Sequence, residues 1–222
     1  MSDLTLVILD LDGTLVDSRQ VIIDAMQIAA KEAGLPHPPD EDISRIIGLS
    51  LGQAIADLFP DANADAHADI FAAYRVEALR VRADPANPET LFDGAYEAVR
   101  TLREAGYLLG IATGKARPGV DHFCTRYDME GWFDTIQTPD TNPSKPHPGM
   151  IESALAETGV SVSRTVMIGD TVFDIEMARN AGVFGIGVAW GNHPVYELER
   201  AGSHHIVEAI EDLSQVIANV LG

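Results

Sequence analysis

The stretch that most constrains this chain is Leu4-Thr5-Leu6-Val7-Ile8-Leu9, with the sequence Asp10-Leu11-Asp12-Gly13-Thr14 that follows it. A short, nearly unbroken apolar run predicts a strand buried on both faces, and such strands belong to parallel sheets covered by helices above and below. The two carboxylates therefore stand where a buried strand stops. Side chains two apart on a strand point to one side, about 6.6 Å apart at roughly 3.3 Å per residue, so Asp10 and Asp12 are predicted to face one site. Two like charges that close repel unless a cation or a shared proton intervenes.

The rest of the chain divides by texture. Ser18 to Ala33 carries Val21, Ile22, Ala25, Ile28 and Ala29 at helical spacing and stops at Gly34. Further helical patterns cover Asp40 to Ile47, Ser50 to Leu58 and Ala64 to Val81, and the breaker-rich Asp84-Pro85-Ala86-Asn87-Pro88-Glu89 closes this part. From Asp93, expected to cap a helix running to Ala105, helices alternate with buried strands at Tyr107–Thr113, Phe133–Thr138, Thr165–Asp170, Val183–Val188 and His205–Val207. That alternation implies βαβ units. The predicted fold is α/β: a doubly wound, mostly parallel, Rossmann-like sheet with an inserted all-helical cap domain. Residues 1–15 and 90–222 form the core and 16–89 the cap.

In open α/β sheets ligands bind beyond the carboxyl ends of the strands. Three polar clusters fall there: Asp10 to Thr14, Thr113-Gly114-Lys115, and Gly169 to Asp174; Ser144-Lys145-Pro146-His147-Pro148 sits in a loop before a helix. Acids, a hydroxyl, backbone N–H groups and a lysine in one crevice suit a metal ion and a phosphoryl group. A formal charge of −19, from 34 acidic and 15 basic residues, favours divalent cations and excludes nucleic acid as partner. The lone Cys124 precludes an internal disulfide and suits a reducing cytoplasm. No stretch of about 18 apolar residues is present to span a bilayer.

In these motifs the sequence resembles the haloacid dehalogenase superfamily of phosphotransferases. Asp10-x-Asp12-Gly13-Thr14 is similar to its first motif, Thr113 to its second, Lys145 to its third, and Asp170 with Asp174 to its fourth. The run from Asp10 to Ser18 and Lys145-Pro146-His147-Pro148 resemble the phosphoglycolate phosphatase-like branch. The resemblance implies a phosphatase acting on a small phosphorylated metabolite through an aspartyl-phosphate. Asp10 would be the nucleophile and Asp12 the general acid and base. Mg²⁺ would be held by Asp10, the Asp12 backbone carbonyl and Asp170. Thr113, Gly114 and Lys145 would bind the phosphoryl oxygens, and Asp174 would orient Lys145 or a metal-bound water.

Alternatives remain open on the residues alone. Lys115 competes with Lys145 for the cationic role, and Asp170 is placed to cap the next helix. Asp17 and Ser18 fit a helix cap. His193, His204 and His205 lack zinc-site spacing and read as surface residues, and Trp190-Gly191-Asn192 reads as core packing before crevice rim. Arg45 and Ser50 are the candidates for touching the leaving group from the cap. Pyrophosphate hydrolysis and sugar-phosphate mutase activity compete with phosphomonoester hydrolysis, although related mutases carry a His where this chain has Ile22. A binding module that keeps the fold without catalysis is the non-enzyme alternative. Both a monomer and a homodimer are compatible with the sequence.

Overall fold

The computed structural model describes residues 4–83 and 89–221. The chain runs β1 (Leu6–Leu9), β2 (Val16–Asp17), α1 (Arg19–Glu32), α2 (Asp40–Ile46), α3 (Leu51–Leu58), α4 (Ala64–Ala83), β3 (Thr90–Leu91), α5 (Ala95–Glu104), β4 (Leu108–Ala112) and α6 (Arg117–Arg126). It continues through β5 (Thr135–Gln137), α7 (Gly149–Thr158), β6 (Thr165–Gly169), α8 (Val172–Ala181), β7 (Phe184–Val188), α9 (Val195–Ala201), β8 (His205–Val207) and α10 (Leu213–Leu221). Six strands form one parallel sheet in the order β5-β4-β1-β6-β7-β8.

The apolar run at the start is unbroken because both faces of β1 are covered. Successive strand residues point to opposite faces. Val7 and Leu9 join Val99 and Leu102 of α5, Val120 of α6 and Ile217 of α10. Leu6 and Ile8 join Met150 and Ile151 of α7 and Met177 of α8. The register sets Leu9 beside Ile111 of β4 and Ile168 of β6, so the residues after these three strands emerge at one edge.

Helices α1–α4 are inserted after β1 and have a separate core around Ile23, Met26, Ile43, Ile55 and Ile70. The segments that enter and leave them pair antiparallel, Val16 with Leu91 and Asp17 with Thr90. Neither this two-residue ladder nor α9 was expected; the ladder is too short to show a period in the sequence. Residues 84–88 of the expected breaker-rich linker lie outside the described residues. Two caps also differ from expectation. Gly94, with φ 84, precedes α5 in place of Asp93, and Ser18 stands at the start of α1 with a buried hydroxyl that makes no capping bond. Among the described residues no helix is long and apolar enough to cross a membrane.

Candidate active site

Asp10, wholly buried, leaves the end of β1 with its backbone N–H donating to the Ile168 carbonyl of β6 at 3.0 Å. Lys145, also wholly enclosed apart from 1% of its surface, reaches in from the loop between β5 and α7. Its Nζ lies 3.0 Å from Asp10 Oδ1 and donates to Asp174 Oδ1 at 2.6 Å. The other Asp174 oxygen accepts from the Thr171 N–H and hydroxyl at 3.1 and 2.7 Å, closing a capping box at the start of α8. Both Asp174 oxygens are therefore engaged.

Because Thr171 caps α8, Asp170 does not, and its carboxylate turns towards the other acids. Oδ1 accepts from the Thr14 hydroxyl at 2.9 Å; Oδ2 accepts from Asn192 N and Nδ2 at 2.8 and 2.9 Å. Two glycines permit this. A Cβ on Gly13 would stand 2.2 Å from Asp170 Oδ2, and one on Gly191 would stand 2.0 Å from Asp170 Cβ. Thr14 was read only as part of the Asp10–Thr14 cluster and Asn192 only as core packing before crevice rim, and neither was expected to hold Asp170. The only available signal was that Asn192 follows the carboxyl end of a central strand, while Trp190, expected in the core, donates its indole N–H to the Thr14 carbonyl at 3.0 Å.

One oxygen each from Asp10, Asp170 and Asp174 lie within 4.8 Å of one another. Three ionised carboxylates against one ammonium leave two negative charges in excess in a space closed to water. Burial pushes the Asp10 carboxyl up to about 8, and the neighbouring acids add to this against the pull of Lys145. Burial likewise raises Asp170 to about 6, with Asp174 adding and the bonds from Asn192 and Thr14 opposing. Burial alone would lower Lys145, but Asp10 and Asp174 hold it above its ordinary value. Asp10 Oδ2 accepts no hydrogen bond from any described residue. An open buried oxygen, a second turned carboxylate and two uncompensated charges fit a hard divalent cation.

The sign of these shifts makes a prediction. The folded, metal-free protein keeps protons on Asp10 and Asp170 that the unfolded chain releases near an ordinary carboxylate pKa of about 4. Their contribution to stability is thus present at low pH and lost as pH rises through about 6 and about 8. Urea unfolding in chelator should show a steeper loss between pH 5 and 8.5 for the native sequence than for Asp10→Asn, and a divalent cation should remove the difference. Equal slopes would refute the charge assignment. A second expectation concerns Asn192→Ala, which deletes one of the two bonds to Asp170 Oδ2. Metal affinity measured by calorimetry should fall about 10- to 100-fold, and an unchanged affinity would show that Asp170 needs no such support.

Asp12 is mostly buried, and Lys115 Nζ lies 3.0 Å from its Oδ1 and 3.5 Å from Glu89 Oε1. The two lysines thus occupy separate places, Lys145 between Asp10 and Asp174 and Lys115 beside Asp12. Thr113 is buried, donating its N–H to the Gln137 carbonyl and accepting the Lys115 N–H on Oγ1 at 3.3 Å. Gly114 lies against the helical insertion, where a Cβ would meet the Leu49 carbonyl at 2.3 Å. Asp12, Thr113, Gly114 and Lys115 together line a cavity of about 480 Å³ that is walled further by the insertion and by core residues Ala116, Pro118, Gly119, Pro139 and Asp140.

Of the two leaving-group candidates, Ser50 lines this cavity and Arg45 does not. The Arg45 guanidinium is taken by Glu197 of α9 at 3.0 Å. The Ser50 hydroxyl caps α3, and its backbone N–H donates to Ser144 Oγ at 2.9 Å. His193 is a correction to the surface reading: it is 5% exposed. Its Nδ1 accepts from the Val172 N–H at 3.1 Å and its Nε2 donates to the Arg45 carbonyl at 3.1 Å, tying α2 to the start of α8. His204 and His205 are exposed, as expected.

The family model of the haloacid dehalogenase-like hydrolases matches residues 7–188. A Dickeya dadantii protein named "Probable phosphatase IndB" is 31% identical over 210 residues, covering 94% of this chain and 91% of that protein. "Pyrophosphatase PpaX" of Listeria monocytogenes is 31% identical over 220 residues, covering 96% of each. Among solved structures, a hydrolase from Pseudomonas syringae superposes with a TM-score of 0.87 at 25% identity, over 98% of this chain and all of that one.

Proposed function

Because this chain belongs to the haloacid dehalogenase-like hydrolase family, we propose that it is a Mg²⁺-dependent phosphatase that hydrolyses a small phosphorylated metabolite through an aspartyl-phosphate. The observation that carries the reading is Asp10: a buried carboxylate with one oxygen facing Lys145 and the other accepting no hydrogen bond. Asp10 attacks phosphorus and the bond to the leaving oxygen breaks, which splits one difficult displacement into two easier ones. Asp12 protonates the departing alkoxide and then takes a proton from the water that cleaves the acyl-phosphate. Thr113, the Gly114 N–H and Lys145 hold the phosphoryl oxygens where negative charge gathers.

Asp10, the Asp12 carbonyl and Asp170 would hold the Mg²⁺, which when bound shields the carboxylate from the phosphate it attacks. Asp174, with both oxygens engaged, fixes the Lys145 ammonium from behind. The Lys115 ammonium stands 3.0 Å from Asp12 Oδ1 and holds that side chain in place. The core with β1, β4 and β6 would carry the chemistry, and residues 16–89 would act as a cap that excludes water. A cytoplasmic setting is supported by the single, buried and free Cys124.

Pyrophosphate hydrolysis, the activity in the Listeria relative's name, is the second reading. Mutase activity is disfavoured because Ile22 lines the cavity and can neither accept nor donate a proton. A non-catalytic binding role has no damaged residue in its favour, since Asp10, Asp12, Lys145 and Asp170 are all present and assembled. The test is release of inorganic phosphate from a panel of phosphorylated metabolites, phosphoglycolate and pyrophosphate included, with Mg²⁺ and with chelator. Absence of Mg²⁺-dependent release across the panel would reject the proposal. Within it, Asp12→Ala should lose about 10²- to 10⁴-fold in turnover of alkyl esters and much less with aryl esters, whose leaving groups need no proton. Equal losses on both would remove Asp12 from the acid role.

A further inference from the structure

We infer that the alcohol part of the substrate is a neutral, apolar body, an alkyl or aryl group rather than a carboxylate-bearing or doubly phosphorylated one; this rests on the phosphatase reading above. One face of α4 lines the cavity. Phe71, Tyr74, Arg75, Ala78 and Leu79 all line the cavity, and their spacing of i, i+3, i+4, i+7 and i+8 is one face of a helix. Phe71 is 39% and Leu79 66% exposed, although both are large and apolar. The core of the insertion is built around Ile70 and other side chains and includes neither of them. Ile22 and Leu49 add apolar surface to the same cavity. Its polar end is Asp12, Thr113 and Gly114, so the apolar walls begin where the phosphoryl group would end.

Of the two cations of the lining, Lys115 is paired with Asp12 and Glu89 at the polar end. Arg75 is the one charged residue on the α4 face of the cavity, among Phe71, Tyr74, Ala78 and Leu79. A volume of about 480 Å³ lies within the roughly 300–1,000 Å³ typical of sites that enclose organic ligands.

The test is a series of n-alkyl phosphates from methyl to hexyl, assayed beside phosphoglycolate and pyrophosphate. In parallel, calorimetric binding of the matching n-alkylphosphonates, which carry no ester to cleave, is measured with Mg²⁺ present. Transfer of methylenes from water predicts that kcat/KM and phosphonate affinity each rise about fourfold per carbon until the cavity is filled. Phe71→Asp and Leu79→Asp, both at exposed positions, should flatten the rise while the melting temperature stays unchanged. A flat series, or phosphoglycolate or pyrophosphate cleaved faster than butyl phosphate, overturns the inference and leaves the phosphatase reading standing. Phosphonate affinity that climbs along the series while no ester is hydrolysed upholds the apolar cavity and overturns the phosphatase reading. Failure of both series overturns both.

Discussion

Asp10→Asn should lower turnover by on the order of 10⁴-fold or more and abolish the acid-stable labelling that a trapped acyl-phosphate would leave. An amide is nearly isosteric with the carboxylate but cannot form the phosphoryl bond. The same substitution removes a charge from a pocket where burial and three neighbouring acids already oppose ionisation. Metal-free Asp10→Asn should therefore be at least as stable to urea as the native sequence at pH 8, even as it loses function. That combination separates chemistry from folding. A variant that hydrolyses phosphate esters at the native rate would remove Asp10 from the nucleophile role, and one that is inactive because unfolded would contradict the charge balance of the pocket.

Lys145→Met should be the most damaging single change to stability. The lysine is wholly buried between Asp10 and Asp174, at 3.0 and 2.6 Å. Methionine keeps most of the volume but leaves Asp10, Asp170 and Asp174 with no cation among them. Breaking a buried pair by removing one partner costs about 3–5 kcal/mol, a large share of the roughly 5–15 kcal/mol that holds a domain folded. The loss should be read by urea unfolding in chelator at pH 8. It should shrink at pH 5, where Asp10 and Asp170 hold their protons, and in the double variant Lys145→Met/Asp174→Asn. A cost that is the same at both pH values and in both backgrounds would mean that Lys145 acts by packing alone. In the folded fraction, loss of the charge proposed to bind the phosphoryl group should lower kcat/KM by about 10²- to 10³-fold.

The sequence was informative where a local pattern and a physical need coincide. The apolar stretch ending at Leu9 is buried on both faces because helices cover both sides of the sheet, and the acids after it stand at the strand's carboxyl end. The long helices α1 and α4 and the strands β4, β6 and β7 were visible from their periodicity and breakers. The two-residue strands β2 and β3 were not, because elements that short have no period to read, and α9 was not read either.

Pairings between distant residues were decided by the tertiary structure. Glu197 draws the Arg45 guanidinium into an ion pair outside the cavity lining. His193 is buried because it satisfies the Val172 N–H and the Arg45 carbonyl at once. Asp170 is free to turn inward only because Thr171 and Asp174 cap α8 without it. Asn192, 22 residues further on, fixes its orientation. The amino-acid order by itself determined which residues stand at strand ends and which elements are covered, since burial leaves a periodic trace along the chain. The choice of partner for each charge was left to the fold, because competing side chains meet only when the sheet and the insertion have brought them within hydrogen-bond distance.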